Sequence, residues 1–260
     1  MAYQTINGRR IFFDHIGDGE PVLAVHGLGG TSNFWAPVWR GIVGGKSFIA
    51  PDVPSAGRSD NDENLSIQTI ADDLVSLLDA LSIESAHLLG HSMGTIVCQH
   101  MAQQNPERVK GLALLGPLAE PPDPARDAIR DRAGLARENG MQPIADAITD
   151  GALSTKTKDE DPIAVSFVRE MLCAQNAEGY ALSCEALADA VAADVTILDK
   201  PVLLITGDED KVAPPGNVEI LASRFLKTPE YAVLENCGHW TVCEKPVEVV
   251  DRLRRFYASI

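Results

Sequence analysis

Gly90-His91-Ser92-Met93-Gly94 sets a serine between two glycines, directly after the apolar run Ser85 to Leu89 and before the helix-patterned run Thr95 to Gln104. A serine at a sharp strand-to-helix turn is forced into a strained backbone conformation, and glycine two residues before and after lets the turn close without side-chain clashes. The Ser92 hydroxyl then stands clear of the sheet, as a nucleophile must. Upstream, His26-Gly27-Leu28-Gly29-Gly30 follows the apolar run Val22 to Val25. Glycines there bring a loop backbone close to a ligand, so the amides of Leu28 and Met93 can point at one oxyanion. No Gly-Lys-Ser/Thr follows and no G-x-G-x-x-G spacing is present, which argues against a phosphate loop.

Downstream, Val202 to Thr206 runs into Gly207-Asp208-Glu209-Asp210-Lys211-Val212. A carboxylate at the C-terminal tip of a strand can orient a histidine and stabilise its imidazolium. Asp210 is the preferred acid, with Asp208 and Glu209 as competitors that spacing does not separate. His239, in Asn236-Cys237-Gly238-His239-Trp240, is the only one of the six histidines placed after both serine and acid on a loop after a strand. The chemistry this set can do is acyl transfer: His239 takes the Ser92 proton, Ser92 attacks a carbonyl, and the two amides hold the oxyanion. His26 and His91 adjoin the oxyanion residues and read as loop supports. His15, His87 and His100 read as structural. With His26, Gly27 and His91, the side chains of Phe34, Trp35, Val212 and Trp240 flank these loops and are expected to line the pocket, while Trp39 divides evenly between pocket and core. Cys237 lies beside His239 but lacks an elbow, so it reads, with Cys98 and Cys243, as a small buried apolar residue.

The elements that must position these residues are short. Asn7-Gly8 between Tyr3–Ile6 and Arg10–Phe13 is a type I′ hairpin signal. Apolar runs at Val22–Val25, Ser47–Ala50, Ala86–Leu89, Val109–Leu115, Val202–Thr206 and Tyr231–Leu234 then alternate with helical periodicity, as at Ile67–Leu81 and Pro246–Tyr257. This alternation implies an α/β fold: a mostly parallel central sheet flanked by helices on both faces. Between Gly116 and Asp199 the rhythm breaks into helical pattern after Pro117, Pro121, Pro122 and Pro124. The expected organisation is a core of residues 1–117 and 196–260, with an inserted helical cap at 118–195. The acidic run Lys158 to Asp161 reads as a solvated loop.

With 260 residues and a formal net charge of −15, one large core is affordable and a nucleic-acid partner is disfavoured, since binding phosphate backbones depends on clustered Lys and Arg. The five cysteines show no C-x-x-C spacing, so neither a zinc site nor a redox pair is expected, and no metal or cofactor is implied. The polar N-terminus and the shortness of every apolar run predict a cytoplasmic protein without a membrane partner, as a monomer or homodimer.

These landmarks, with Asp52 to Ser59, resemble the α/β-hydrolase superfamily nearly end to end, and Ser92, Asp210, His239 is that superfamily's chain order. Met93 and the segment Glu178 to Asp189 are similar to the 3-oxoadipate enol-lactonase group and its esterase relatives. The resemblance implies an α/β-hydrolase fold and a serine esterase or lactonase acting on a small-molecule ester or lactone. Relatives with the same triad also hydrolyse carbon–carbon bonds, carry out perhydrolysis, or serve as small-molecule receptors. Epoxide hydrolases and dehalogenases need an aspartate where Ser92 stands. Ser55 occupies a position where many relatives carry glycine, and all three tryptophans lie outside the cap. From Glu120 to Asp194 there are 15 acids against 7 bases, which repels a carboxylate-bearing substrate at long range. Arg126, Arg130 and Arg137 share a helix face, either to bind such a carboxylate or to pair with Asp123, Asp127 and Asp131.

Overall fold

The computed structural model describes residues 1–260. The chain opens with β1 (Ala2–Ile6) and β2 (Arg9–Ile16), joined at Asn7 and Gly8, whose φ values of 48° and 84° are those of the expected turn. Next come β3 (Glu20–Val25), α1 (Trp39–Ile42), β4 (Lys46–Pro51), α2 (Ile67–Ala80), β5 (Ala86–His91), α3 (Met93–Gln104) and β6 (Val109–Leu115). Five helices follow without a strand: α4 (Asp123–Asn139), α5 (Gln142–Ala152), α6 (Thr155–Glu160), α7 (Pro162–Cys173) and α8 (Ala177–Ala188). The chain closes with β7 (Val202–Gly207), α9 (Pro215–Ala222), β8 (Glu230–Leu234), α10 (Thr241–Glu244) and α11 (Pro246–Ala258).

The eight strands form one sheet in the order β1-β2-β4-β3-β5-β6-β7-β8, antiparallel only at β1/β2 and β2/β4. Strands β5, β6 and β7 are buried almost throughout, on both faces, because helices cover both, whereas β1 at the edge is mostly exposed. The register is what assembles the site. Val25 pairs with Gly90, Gly90 with Leu114, Leu115 with Ile205 and Gly207 with Leu234. The loops after β3, β5, β7 and β8 therefore leave the same edge of the sheet, and they carry Leu28, Ser92, Asp210 and His239.

The turn from β5 into α3 is as tight as its glycines require. Ser92 sits at φ 53°, ψ −121°, a conformation non-glycine residues rarely hold. A Cβ on Gly94 would run into the carbonyl oxygens of Val25 and His26, and one on Gly90 would meet the Gly94 oxygen at 2.7 Å. Both obstacles are backbone and cannot swing aside. Gly94→Ala is expected to destabilise the fold by about 2–3 kcal/mol, the scale of overpacking a full site, and so to lower the melting temperature by roughly 5–10 °C. Thermal unfolding followed by circular dichroism checks this.

The five helices between β6 and β7 fall inside the span expected to be helical. They share one apolar interior with the sheet, into which Ile129, Met171 and Tyr180 pack. No helix is long and apolar enough to cross a membrane.

Candidate active site

The elbow, the β7 tip and the β8 loop meet at an unbroken hydrogen-bonded line. Ser92 Oγ is 2.8 Å from His239 Nε2, and His239 Nδ1 is 2.8 Å from Asp210 Oδ2. An ionised carboxylate only accepts, so Nδ1 carries the ring proton and Nε2 is left to accept from the serine hydroxyl. All three residues are buried. Burial by itself pushes the Asp210 carboxyl up. The positive charge available to His239, its hydrogen bond, and the amides of Ala213 and Val212 outweigh that and bring it down to about 2. Those amides both donate to Oδ1, at 2.7 and 2.8 Å.

The two competing acids are occupied elsewhere. Asp208 Oδ1 accepts from the Cys237 amide at 3.0 Å, and Glu209 accepts from the Thr155 amide and hydroxyl at 2.9 and 3.0 Å. Asp208 and Asp210 thus hold the loop after β8 at two different residues, Glu209 holds the inserted segment, and only Asp210 reaches the histidine. Gly116, just past β6 at φ 54°, makes the room: a Cβ there would lie 2.9 Å from His239 Cε1. Sequence reasoning passed over this glycine, which the end of the β6 apolar run marks.

On the other side of Ser92 the Gly27 backbone comes so close that a Cβ on it would meet the serine Cβ at 2.7 Å. Leu28 follows in this loop, and its amide has no acceptor among the turn and loop hydrogen bonds. Met93 is the first residue of α3, where an N–H has no intrahelical carbonyl to bind. Neither amide of the expected oxyanion pair is therefore committed to an acceptor in the turns and loops.

Both flanking histidines are buried supports. His26 Nε2 accepts from the Val53 amide at 3.1 Å and its Nδ1 donates to the Gly27 carbonyl at 2.8 Å, which fixes the loop before Leu28. Burial lowers its pKa. His91 Nε2 donates to the His239 carbonyl at 2.8 Å; burial first, then the neighbouring His239 charge, takes its pKa down to about 3. It stays neutral and bonds the backbone of His239. His15, His87 and His100 bond Ser47, Glu20 and the Val191 carbonyl.

Of the expected pocket side chains, Phe34 and Trp240 pack around His91, with ring centroids 4.4 and 5.8 Å from it. Val212 is 44% exposed beside Asp210. Trp35 is not brought to this cluster: it is fully buried with its ring edge-on to Phe48, beneath Phe34. Trp39 borders the same cavity as Trp35 and Phe48, away from Ser92. Cys98, Cys237 and Cys243 are buried, and burial pushes all three thiols up, which removes Cys237 as a nucleophile.

Polar residues outside the triad hold the loops, and of these Gln175 was not marked in the sequence. Asp52, fully buried, accepts from the Ser32 amide and from the amide and guanidinium of Arg58, tying the loop after β3 to the loop after β4. Gln175 donates to the carbonyls of Gly29 and Gly30 and accepts from the Gly57 amide. Ser55 adopts φ 68°, where its hydroxyl accepts from the Asp62 amide at 2.9 Å. The three arginines on the α4 face are engaged: Arg126 by Glu120, Asp123 and two carbonyls, Arg130 by Asp127 and Asp189, and Arg137 by Glu178 and Glu185. The partners are mostly on α8 and the segment after it, so these pairs fasten helix to helix.

Comparisons with known proteins agree with this fold. A family model described as alpha/beta hydrolase fold matches residues 20–158, more than half of the chain. An uncharacterized carboxylesterase, nap, of Bacillus subtilis is 26% identical over 92% of this chain and 80% of its own length. The 3-oxoadipate enol-lactonase 1 of Acinetobacter baylyi is 25% identical over 92% of this chain and 89% of its own. Among solved structures, a thermophilic esterase from Thermogutta terrifontis superposes with a TM-score of 0.93 at 25% identity, covering 99% of this chain and 98% of that one. With the sheet order, the elbow and this match in agreement, the chain belongs to the alpha/beta hydrolase fold family.

Proposed function

We propose that this protein is a serine hydrolase that cleaves a carboxylic ester or lactone of a small molecule through an acyl-enzyme, with Ser92, His239 and Asp210 as its triad. The observation that carries this is the Ser92–His239–Asp210 hydrogen-bonded line; the amides of Leu28 and Met93 are assigned to the oxyanion in this reading. His239 takes the hydroxyl proton as Ser92 attacks the carbonyl carbon. The two amides hold the oxyanion, and the imidazolium, steadied by Asp210, gives its proton to the leaving alkoxide. Water then repeats the sequence on the acyl-enzyme, with His239 as its base. Residues 118–195 act as a lid over a core of 1–117 and 196–260. Five free cysteines fit a reducing, cytoplasmic setting. The relatives' printed activities, carboxylesterase and enol-lactonase, support the reaction class.

The substrate in this reading is neutral. The inserted helices are strongly acidic, and Arg126, Arg130 and Arg137 are already paired. The test is a panel of p-nitrophenyl acetate, butyrate and octanoate, the succinate hemiester, a saturated lactone, an enol-lactone and a vinylogous diketone. Steady-state turnover of neutral esters or lactones is expected. The hemiester should have kcat/KM roughly tenfold lower, a gap that narrows with salt. Turnover of the diketone alone, or a single stoichiometric release without turnover, would overturn the assignment. Preference for the hemiester would overturn the neutral-substrate part and point to Arg132, which has no carboxylate within ion-pair distance.

A further inference from the structure

Four donors converge on the carboxylate of Glu244, five residues beyond His239. Its Oε2 accepts from the Gly238 amide at 3.0 Å, the Ser154 amide at 2.8 Å and the Thr157 hydroxyl at 2.9 Å, and its Oε1 accepts from the Trp240 amide at 3.1 Å. Gly238 and Trp240 are the two neighbours of His239 in the chain. The amide of His239 itself donates at 2.8 Å to the carbonyl of Ala152, at the end of α5. No cation stands within ion-pair distance of Glu244, so its interactions are all with N–H and O–H groups.

We propose that Glu244 is a positioning residue for His239. It grips the backbone on both sides of the histidine and, through the same oxygen, joins that loop to the inserted segment between α5 and α6. The inference rests on the triad reading and extends it. The reason is geometric. The His239 ring must place Nε2 on Ser92 and Nδ1 on Asp210 at once, and its position follows from the backbone of the six-residue loop 235–240 between β8 and α10. Charge-assisted bonds to both flanking amides hold that backbone directly, and small misplacements at a reacting centre cost large factors in rate. Sharing Oε2 with Ser154 and Thr157 makes docking of the inserted segment and alignment of the base depend on one acceptor. Glu209, bonded to Thr155, adds a second tie from the acid's loop to the same segment.

The isosteric substitution Glu244→Gln is informative because it cannot satisfy all four donors. If the amide oxygen stays with Gly238, Ser154 and Thr157, its NH₂ faces the Trp240 N–H; if it flips, the NH₂ faces the other three. Glu248→Gln, at an exposed position one turn on, removes the same charge without touching the loop. For Glu244→Gln, kcat for a p-nitrophenyl ester is expected to fall by roughly ten- to a hundredfold with KM unchanged and the fold intact by thermal melting, while Glu248→Gln behaves as wild type. The downfield Nδ1–H proton resonance of His239 in the free protein should shift or broaden in Glu244→Gln only. Wild-type kcat with an unmoved resonance overturns the proposal, as does a loss of activity that matches the unfolded fraction. Failure of the wild type on every ester would sink the hydrolase reading instead, and the proton resonance would then decide the positioning role by itself.

Discussion

Ser92→Ala is expected to lower kcat for ester hydrolysis by on the order of 10⁶, the scale seen when a triad serine is removed. The melting temperature should stay close to that of the wild type. The Ser92 side chain makes a single hydrogen bond, to His239 Nε2, and a water can take its place. The backbone strain at φ 53° is common to serine and alanine, so no relief offsets the loss. In the proposed mechanism, hydrolysis that survives would come from the Leu28 and Met93 amides polarising a bound carbonyl for water. A fluorophosphonate probe should modify the wild type at one equivalent and leave the variant unlabelled. Wild-type turnover in Ser92→Ala would remove the nucleophile and the acyl-enzyme together.

The strands, the hairpin and the elbow could be read from the sequence because each depends on neighbours in the chain. From Gly111 to Leu115 the β6 run is apolar and buried without interruption because both faces are covered, and Asn7-Gly8 carries two positive φ angles. The candidate serine and histidine could be marked for the same reason: each lies on a turn after an apolar run, Ser92 between Gly90 and Gly94 and His239 beside Gly238. Asp210 was the preferred acid, but spacing did not separate it from Asp208 and Glu209. Asp208, Glu209 and Asp210 differ only in partners that lie 29 to 54 residues away in the chain, at Cys237, Thr155 and His239. Local pattern contains no information about which loop each carboxylate will meet.

Trp35 illustrates a different limit. Phe34 and Trp35 are adjacent and flank the oxyanion loop, so both were expected at the pocket. They lie in a 3₁₀ turn, Ser32–Trp35, where successive side chains point about 120° apart. Phe34 therefore packs on His91 while Trp35 turns into the interior against Phe48. Glu244 and Gln175 were missed, and Asp52 was marked only as the start of the segment Asp52 to Ser59, because much of what each does lies in bonds to distant segments: Ser154 and Thr157 for Glu244, Gly29, Gly30 and Gly57 for Gln175, and Ser32 for Asp52. The one local hint for Glu244 is an acid directly after the apolar turn Thr241-Val242-Cys243, where an exposed carboxylate gains nothing from its surroundings.

Asp210→Asn is expected to lower kcat by about 10⁴ near neutral pH, because it selects the wrong tautomer of His239. The hydrogen bonds around the carboxylate determine that outcome. Oδ1 accepts from two backbone amides, Val212 and Ala213, which cannot turn away. An asparagine must put its carbonyl oxygen there, and so its NH₂ takes the Oδ2 position and points at His239 Nδ1. A donor in that place makes Nδ1 the acceptor and moves the ring proton to Nε2, which then donates to Ser92 instead of accepting from it. The base is lost although every heavy atom remains in position. A pH series separates this from unfolding. Asp210 is held at about 2 in the folded protein against an ordinary 3.8, so its share of stability is present above 3.8 and disappears as the pH falls through about 2. The difference in melting temperature between wild type and Asp210→Asn should therefore shrink from pH 5 to pH 2, while the loss of kcat at pH 7 persists in fully folded variant. Activity of Asp210→Asn within tenfold of wild type at neutral pH would show that His239 keeps its tautomer without this carboxylate.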